Sequence, residues 1–551
     1  MKRSQKILAL LLALSMALSL AACGKKDKDD GNAVSYESTG GKDIVRAAAA
    51  DDIFTLNSSS KRSMNPIIAT NHANQLICHL VYENMVELDN NFEVIPNLIT
   101  SWECTDDGRI WTLYMDPENP HYFHDGEQVT GKDLRYSLER AINGDRFVGR
   151  FASFQGVSYW DDKIQVTLGI GDKQFIKLLN IPVIKNGTYD TGDGNPPVGS
   201  GPYTYNEDHT QLIAAETWPN YKDLPIDTIY ISEYPTAADV ISAFEDGYID
   251  LVINDPSSYT NLGYASTNEI HSYNTTNMHY VAFNAESELG RDSSFRYAMN
   301  FAFDRAYLEE LLGGNAVASP IAMNPSCSLY PTSLASQLKY DLELCKVVLG
   351  NAGIRDYDED GRMEYLNASY EPELVFLVCS DSSAKTGIAR RFASDMAELG
   401  LKVTLKEVSW DDYKKALEAP DHENEKNYYR EDEEPPIEFD MYYGEVKLRS
   451  NFDITELLQP RTKDNLRSNC NYTRSGDDGS VNLINQYLAA GDADRANVYY
   501  QLCQYVSSQA LIIPIGFEKQ QIISHRGVIR GMDPNIGNPL YNFANWTIDL
   551  E

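Results

Sequence analysis

The sequence predicts an α/β protein divided into two or three lobes, and three observations carry that expectation. The segments "IDTIYIS", "AADVISAFEDG" and "IDLVIN" alternate strand, helix and strand over residues 226–254. The same order returns in "ELVFLVCS", "TGIARRFASDMAELG" and "LKVTLKEVS" over residues 373–409. Each is a βαβ unit and implies a partly parallel sheet, so two such units far apart imply two α/β lobes. Third, a chain of 551 residues that is 42 % apolar and 11 % aromatic has the length and content for more than one core.

The N-terminus comes first. Lys2, Arg3 and Lys6 precede sixteen mostly apolar residues, Ile7 to Ala22. The run is short of the roughly 20 residues that cross a bilayer core, so it reads as an export signal. Residues 24–42, "GKKDKDDGNAVSYESTGGK", are nearly devoid of apolar side chains and read as a flexible tether reaching about 25 Å by random-coil scaling. The folded body is expected to open with the strand "DIVRAAAA" at Asp43. Thr130 and Asp133 in "TGKDLRYSLERAI" are spaced as a capping box for a helix with Leu134, Leu138, Ala141 and Ile142 on one face. "KIQVTLGI" alternates as a strand, and "GDGNPPVGSGPYTY" is a glycine- and proline-rich loop at a lobe boundary. "SFRYAMNFAFDRAYLEELLGG" reads as one helix burying Phe295, Ala298, Met299 and Ala302, and "DLELCKVVLGNAG" as another ending at Gly353. The acidic "DHENEKNYYREDEEPPIE" reads as a solvated loop, and "LIIPIGF" as a strand that Pro514 assigns to an edge or a crossover.

The formal net charge is −34, and three units more negative once Lys2, Arg3 and Lys6 leave with the signal. Such a field repels phosphate backbones and anionic headgroups, so no nucleic-acid partner is expected. Besides Cys23, the seven cysteines at 78, 104, 327, 345, 379, 470 and 503 show no CxxC spacing and read mostly as small buried hydrophobes. "DYDEDGRMEYLN" sets Asp356, Asp358, Asp360 and Gly361 at the first positions of a calcium loop. Asn367 stands where that loop needs a bidentate Glu, which leaves a polar hairpin turn. His72, His79, His121 and His124 lack the carboxylate spacing of a zinc or nickel site and read as structural. "VGSGPY" lacks the outer glycines of GxSxG, because Val198 and Pro202 occupy those places, and no phosphate loop occurs. No cofactor, resident metal or catalytic residue is expected, and the weight falls on binding.

Several stretches taken together resemble a family. Leu20-Ala21-Ala22-Cys23 resembles the lipobox of bacterial lipoproteins, which implies lipidation of Cys23. The segments "YENMVELDNNFEVIPNLITSWECTDDGRIWTLYM", "YFHDGEQVTGKDLRYSLERA", "VGSGPYTY", "WPNYKDLPIDTIYI", "FEDGYIDL" and "FRYAMNFAFDR" are similar, in order, to those of the oligopeptide- and dipeptide-binding proteins of ABC importers. Gly131 stands where that family usually has Ala, and Ser200 where it has Thr. The resemblance implies a two-lobed periplasmic-binding-protein-like fold of the class II type with an additional inserted domain. It places lobe I at residues 43–70, 196–277 and 508–551, the inserted domain at 71–195 and lobe III at 278–507. The chain would cross the hinge near Met278 and near residue 507.

The function it implies is an extracytoplasmic, lipid-anchored receptor on the outer face of the cytoplasmic membrane. As a monomer it would capture a peptide between its lobes and deliver it to an ABC permease. The family's third lobe commonly carries a Trp followed by an Asp-Pro pair whose carboxylate meets the peptide ammonium. The matching stretch here is "FDMYYGEVKLRSNFDITELL", which lacks both. Glu445 is therefore expected to accept the ammonium, with Tyr443 and Tyr442 lining the same wall and Asp453 as the other candidate. Cargo of another kind (nickel chelate, haem or oligosaccharide) fits the same fold, and a lipoprotein hydrolase is the rival from another class.

Overall fold

The computed structural model describes residues 35–37, 43–45, 52–190, 195–257, 267–367, 370–418, 437–463 and 465–550. The signal segment, Cys23 and residues 421–436 of the acidic loop lie outside them. Residues 1–48 and 49–551 form two separate units. In the first, Ser35–Glu37 pairs antiparallel with Asp43–Val45, so a strand falls inside the expected tether. The strand expected at Asp43 belongs to this pair, and the main body's first strand is Phe54–Ser58.

Within residues 49–551 an eleven-stranded sheet runs through both lobes. Phe54–Ser58 lies between Thr228–Glu233 and Leu251–Asn254, parallel to each, and the helix Ala237–Glu245 makes the connection. This is the first βαβ unit, with Phe54–Ser58 inserted between its two strands. At the far end Glu373–Cys379 and Lys402–Val408 pair in parallel around the helix Ser383–Leu399, which ends at Gly400 with φ +90°. That is the second unit. The expected helix Gly131–Asn143 is present, with the Thr130 amide donating to Asp133 at 3.0 Å.

Two long antiparallel strands, Glu269–Phe283 and Ile512–Ser524, join the lobes. Ser524 pairs with Leu251 at one end, and Phe283 with Met441 at the other. Their register slips between Asn274 and Met278, leaving Thr275–Asn277 outside the ladder, and again where Pro514 faces Tyr280. The proline therefore sits at an irregularity in a crossover strand, where the missing N–H leaves no gap in a regular ladder.

The side chains divide into two main cores. One gathers Phe54, Ile77, Trp111, Leu134, Tyr203 and Trp546, so the inserted four-stranded sheet, which includes Ile110–Tyr114 and Lys163–Leu168, shares its core with the first lobe. The other gathers Phe295, Phe303, Cys345, Phe376 and Phe392 in the second lobe. Cys78, Cys327, Cys345, Cys379 and Cys503 are buried free thiols, Cys470 is half-buried and Cys104 exposed. Gly131 has a reason to replace the family's Ala: a Cβ there would meet the carbonyl oxygens of Trp160 at 2.2 Å and Lys163 at 2.4 Å.

The single helix expected over residues 294–312 is two, Ser293–Met299 and Ala306–Leu311. The cause lies at the break. Arg305 donates to the carbonyls of Asn300 at 3.0 Å, Leu338 at 3.1 Å and Pro514 at 2.8 Å, while the Asn300 amide reaches the Ser507 carbonyl at 3.0 Å. These tertiary bonds outcompete one more turn of helix, and Phe295, Ala298, Met299 and Ala302 are buried all the same. Around Asp356 the chain forms the expected hairpin, Ile354–Arg355 against Glu364–Tyr365, with the Asp356 carboxylate accepting from the amides of Asp360 and Gly361.

Candidate functional site

A cavity of about 240 Å³ lies where the lobes meet the crossover strands. Its walls come from every part of the main body. Helix His72–Val81 presents His72, Gln75 and His79, which share one helix face by their spacing of three, four and seven residues. The short 3₁₀ turn Asp145–Phe147 and the residues after it supply Arg146, Phe147 and Arg150. Asp255 follows the strand Leu251–Asn254, and Lys447 and Ser450 come from the end of Met441–Lys447. The floor is Tyr273–Asn277, whose last three residues lie outside the pairing with Ile512–Ser524, together with Gln520, which accepts from the Tyr273 hydroxyl at 3.0 Å.

The inserted domain also touches the far lobe directly. Asn451 donates to the Asp172 carboxylate at 2.9 Å, and the Lys173 amide donates to the Leu488 carbonyl at 2.8 Å. These contacts bridge the lobes, and Lys447, though surrounded by protein, keeps its side chain exposed within the cavity.

The electrostatics of the wall run against those of the chain. Arg146, Arg150 and Lys447 face the cavity, and among the described residues none is paired with a carboxylate. Burial, and then the mutual repulsion of the two arginines and Lys447, pushes Lys447 down to about 8, and burial with Arg146 and Arg449 pushes Arg150 down to about 9. Burial also depresses His72, and with Arg146 and Lys447 it lowers His79 to about 3, so His79 is a neutral imidazole. Both guanidiniums pack over the Phe147 ring, Arg146 at 5.1 Å and Arg150 at 5.0 Å from its centroid, a cation–π arrangement at the cavity wall. Among the described residues, the one acidic side chain in the wall is Asp255.

The residues expected from sequence lie close by on the same strand and the loop after it but do not line this cavity. Tyr442 and Tyr443 are core residues, each 1 % exposed, and the Tyr443 hydroxyl is 2.9 Å from His279 Nδ1. Glu445 is bound to Lys385 at 2.9 Å. Asp453 is paired with Arg449 and accepts from the Thr455 amide at 2.9 Å. Lys447 shares a strand face with Tyr443 and Glu445 by the period of two, so the cavity begins two residues beyond the expected site. His72 and His79, expected to be structural, are in the wall, whereas His121 is bound to Glu83 at 2.9 Å and His124 to the Gly201 carbonyl at 3.0 Å. The Ser200 hydroxyl is buried and, among the described residues, has no hydrogen-bonding partner, unlike an activated nucleophile.

Comparison with known proteins agrees with this architecture. Heme-binding protein A of Haemophilus influenzae is 22 % identical over 479 residues, covering 79 % of this chain and 81 % of that protein. The oligopeptide-binding protein AppA of Bacillus subtilis is 21 % identical over 436 residues, covering 74 % and 78 %. The crystal structure of the ABC transporter substrate-binding protein CtaP of Listeria monocytogenes superposes with a TM-score of 0.69 at 17 % identity, over 90 % of this chain and 99 % of that one. The family profile of bacterial extracellular solute-binding proteins, family 5 Middle, matches residues 93–437. With lobes joined by two crossover strands around a shared cavity, and with a profile match over more than half its length, the chain belongs to the bacterial extracellular solute-binding proteins of family 5.

Proposed function

We propose that this protein is the receptor of an ABC importer: it encloses a short peptide in the cavity between its lobes and passes it to a membrane permease. The observation that carries the reading is the cavity itself, walled by the inserted domain and both lobes and floored by the strands that would act as the hinge. A short peptide has a carboxylate end and an ammonium end, and the wall offers cations for the first and Asp255 for the second. The stretch Thr275–Asn277, which lies outside the pairing with Ile512–Ser524, borders the same space. Hinge closure about two strands is the expected motion. Small-angle scattering of the purified protein, before and after saturation with a peptide that native mass spectrometry finds bound, should show a smaller radius of gyration in the complex. An unchanged radius overturns the closing-receptor reading. A metal chelate is the second reading, favoured by His72 and His79 in the same wall.

Membrane attachment through a lipid on Cys23 belongs to the same proposal and rests on the residues Leu20-Ala21-Ala22-Cys23. Cys23→Ala should move the protein from the membrane fraction to the medium or periplasm. Unchanged fractionation would mean that the anchor lies elsewhere.

A further inference from the structure

Among the described residues, the cavity wall carries three cations against one carboxylate, inside a chain whose formal charge is −34. Acidic side chains are abundant elsewhere and could have neutralised these cations, yet Arg146 and Arg150 spend their donors on neutral groups. Arg146 donates to the Pro66 carbonyl, and Arg150 donates to the Asn180 side-chain oxygen at 2.8 Å. Two guanidiniums and an ammonium that repel one another across one cavity are costly in the empty protein. An anion in that space would remove the cost and gain short charge-assisted hydrogen bonds.

We infer that the solute of this cavity is a clustered polycarboxylate, with its carboxylates held by Arg146, Arg150 and Lys447 and any ammonium it carries held by Asp255. This rests on the cavity being the binding site, and it narrows the peptide class to acidic peptides. The same wall would take a free polycarboxylic acid, because both present carboxylates a few ångströms apart. Arg146 and Arg150, both set against the Phe147 ring, offer two guanidiniums to a carboxylate from one side of the cavity, and Lys447 approaches from the opposite lobe. The anion would then bridge the lobes, and closure would depend on its charge.

Calorimetry with triglutamate, trialanine and citrate, on the wild type, Lys447→Met and Arg150→Met, tests this. Triglutamate or citrate should bind the wild type at least thirtyfold more tightly than trialanine, and each substitution should remove roughly thirtyfold or more of that affinity, as when a buried charge loses its partner. Both variants should melt at or above the wild-type temperature without ligand, because each removes one of three mutually repelling cations; this separates lost binding from lost folding. Affinity for the anionic probe should also fall as pH rises from 7 to 10, since Lys447, facing Arg146, Arg150, His72, His79 and Asp255, discharges near 8 when the cavity is empty. Binding of citrate without either peptide supports the charge inference and overturns the peptide reading. Equal affinity for triglutamate and trialanine overturns the inference and leaves the receptor reading standing. Binding of trialanine alone, or of none of the three probes, also overturns it.

Discussion

Gly199→Ala is expected to destabilise the protein by about 3 kcal/mol or more, at the upper end of what overpacking costs. The glycine lies in "VGSGPY", where the chain runs against the end of helix His72–Val81. A Cβ on Gly199 would stand 2.1 Å from the Val81 carbonyl oxygen and 2.9 Å from the Tyr82 ring. Gly201 is held as closely, with its amide donating to the Val81 carbonyl at 2.9 Å and its Cβ position 2.6 Å from the Leu80 carbonyl. The obstacles are backbone atoms at the end of a buried helix, so no rotamer change relieves them. The Gly199 carbonyl also accepts from the His124 amide at 2.9 Å, which ties the loop of "FHDG" to the same place. The glycines of this motif therefore serve close packing behind the cavity wall that carries His72 and His79. Ser200 between them is the control: its buried hydroxyl has no partner, so Ser200→Ala should be neutral or slightly stabilising. Denaturant midpoints of the two variants measure the contrast. Wild-type stability in Gly199→Ala would refute the close approach.

Much of the fold was legible because it is written in local periodicity. The strands Glu373–Cys379 and Lys402–Val408 and the helix between them announce themselves by apolar runs and a terminal glycine, and the capping box at Thr130 needs four residues to be seen. The break at Asn300 was not legible, because its cause is the Arg305 guanidinium, whose partners Leu338 and Pro514 are remote in sequence. The expected site meets a related limit. Glu445 is the carboxylate a local reading selects, but whether a charge is free depends on what folds against it, and Lys385 does. Arg146, Arg150 and Lys447 look ordinary in sequence; only the tertiary structure shows that they share one space without an acidic partner. The spacing of His72 and His79 was the one local signal, two histidines two turns apart on one helix face, and a composition in which histidine is otherwise structural hid it.

His279→Leu is expected to cost about 3–5 kcal/mol, because it strands a charge in the core. His279 lies in the first crossover strand, fully buried, and its Nε2 is 2.5 Å from the carboxylate of Glu518 in the second. Nδ1 faces the Tyr443 hydroxyl at 2.9 Å, and Asn277 donates to the other Glu518 oxygen at 3.3 Å, so one cluster fastens three neighbouring strands directly beneath the cavity floor. Burial alone would depress the imidazole, yet the attraction and hydrogen bond of Glu518 outweigh it and raise its pKa above the ordinary 6.5. The sign follows. The ion pair contributes its full stability below about pH 6.5, where the unfolded histidine is also protonated, and that contribution is lost as pH rises through the raised native value. Removing Glu518 as well, in His279→Leu/Glu518→Leu, should recover much of the loss, because the uncompensated carboxylate is then gone. The stability of that double variant should also lose the pH dependence the pair imposes. Urea unfolding of the wild type, both single variants and the double variant at pH 6 and pH 9 gives the coupling energy at each pH. A coupling near zero at pH 6, or one that grows on going to pH 9, would show that the crossover strands are not held by this ion pair.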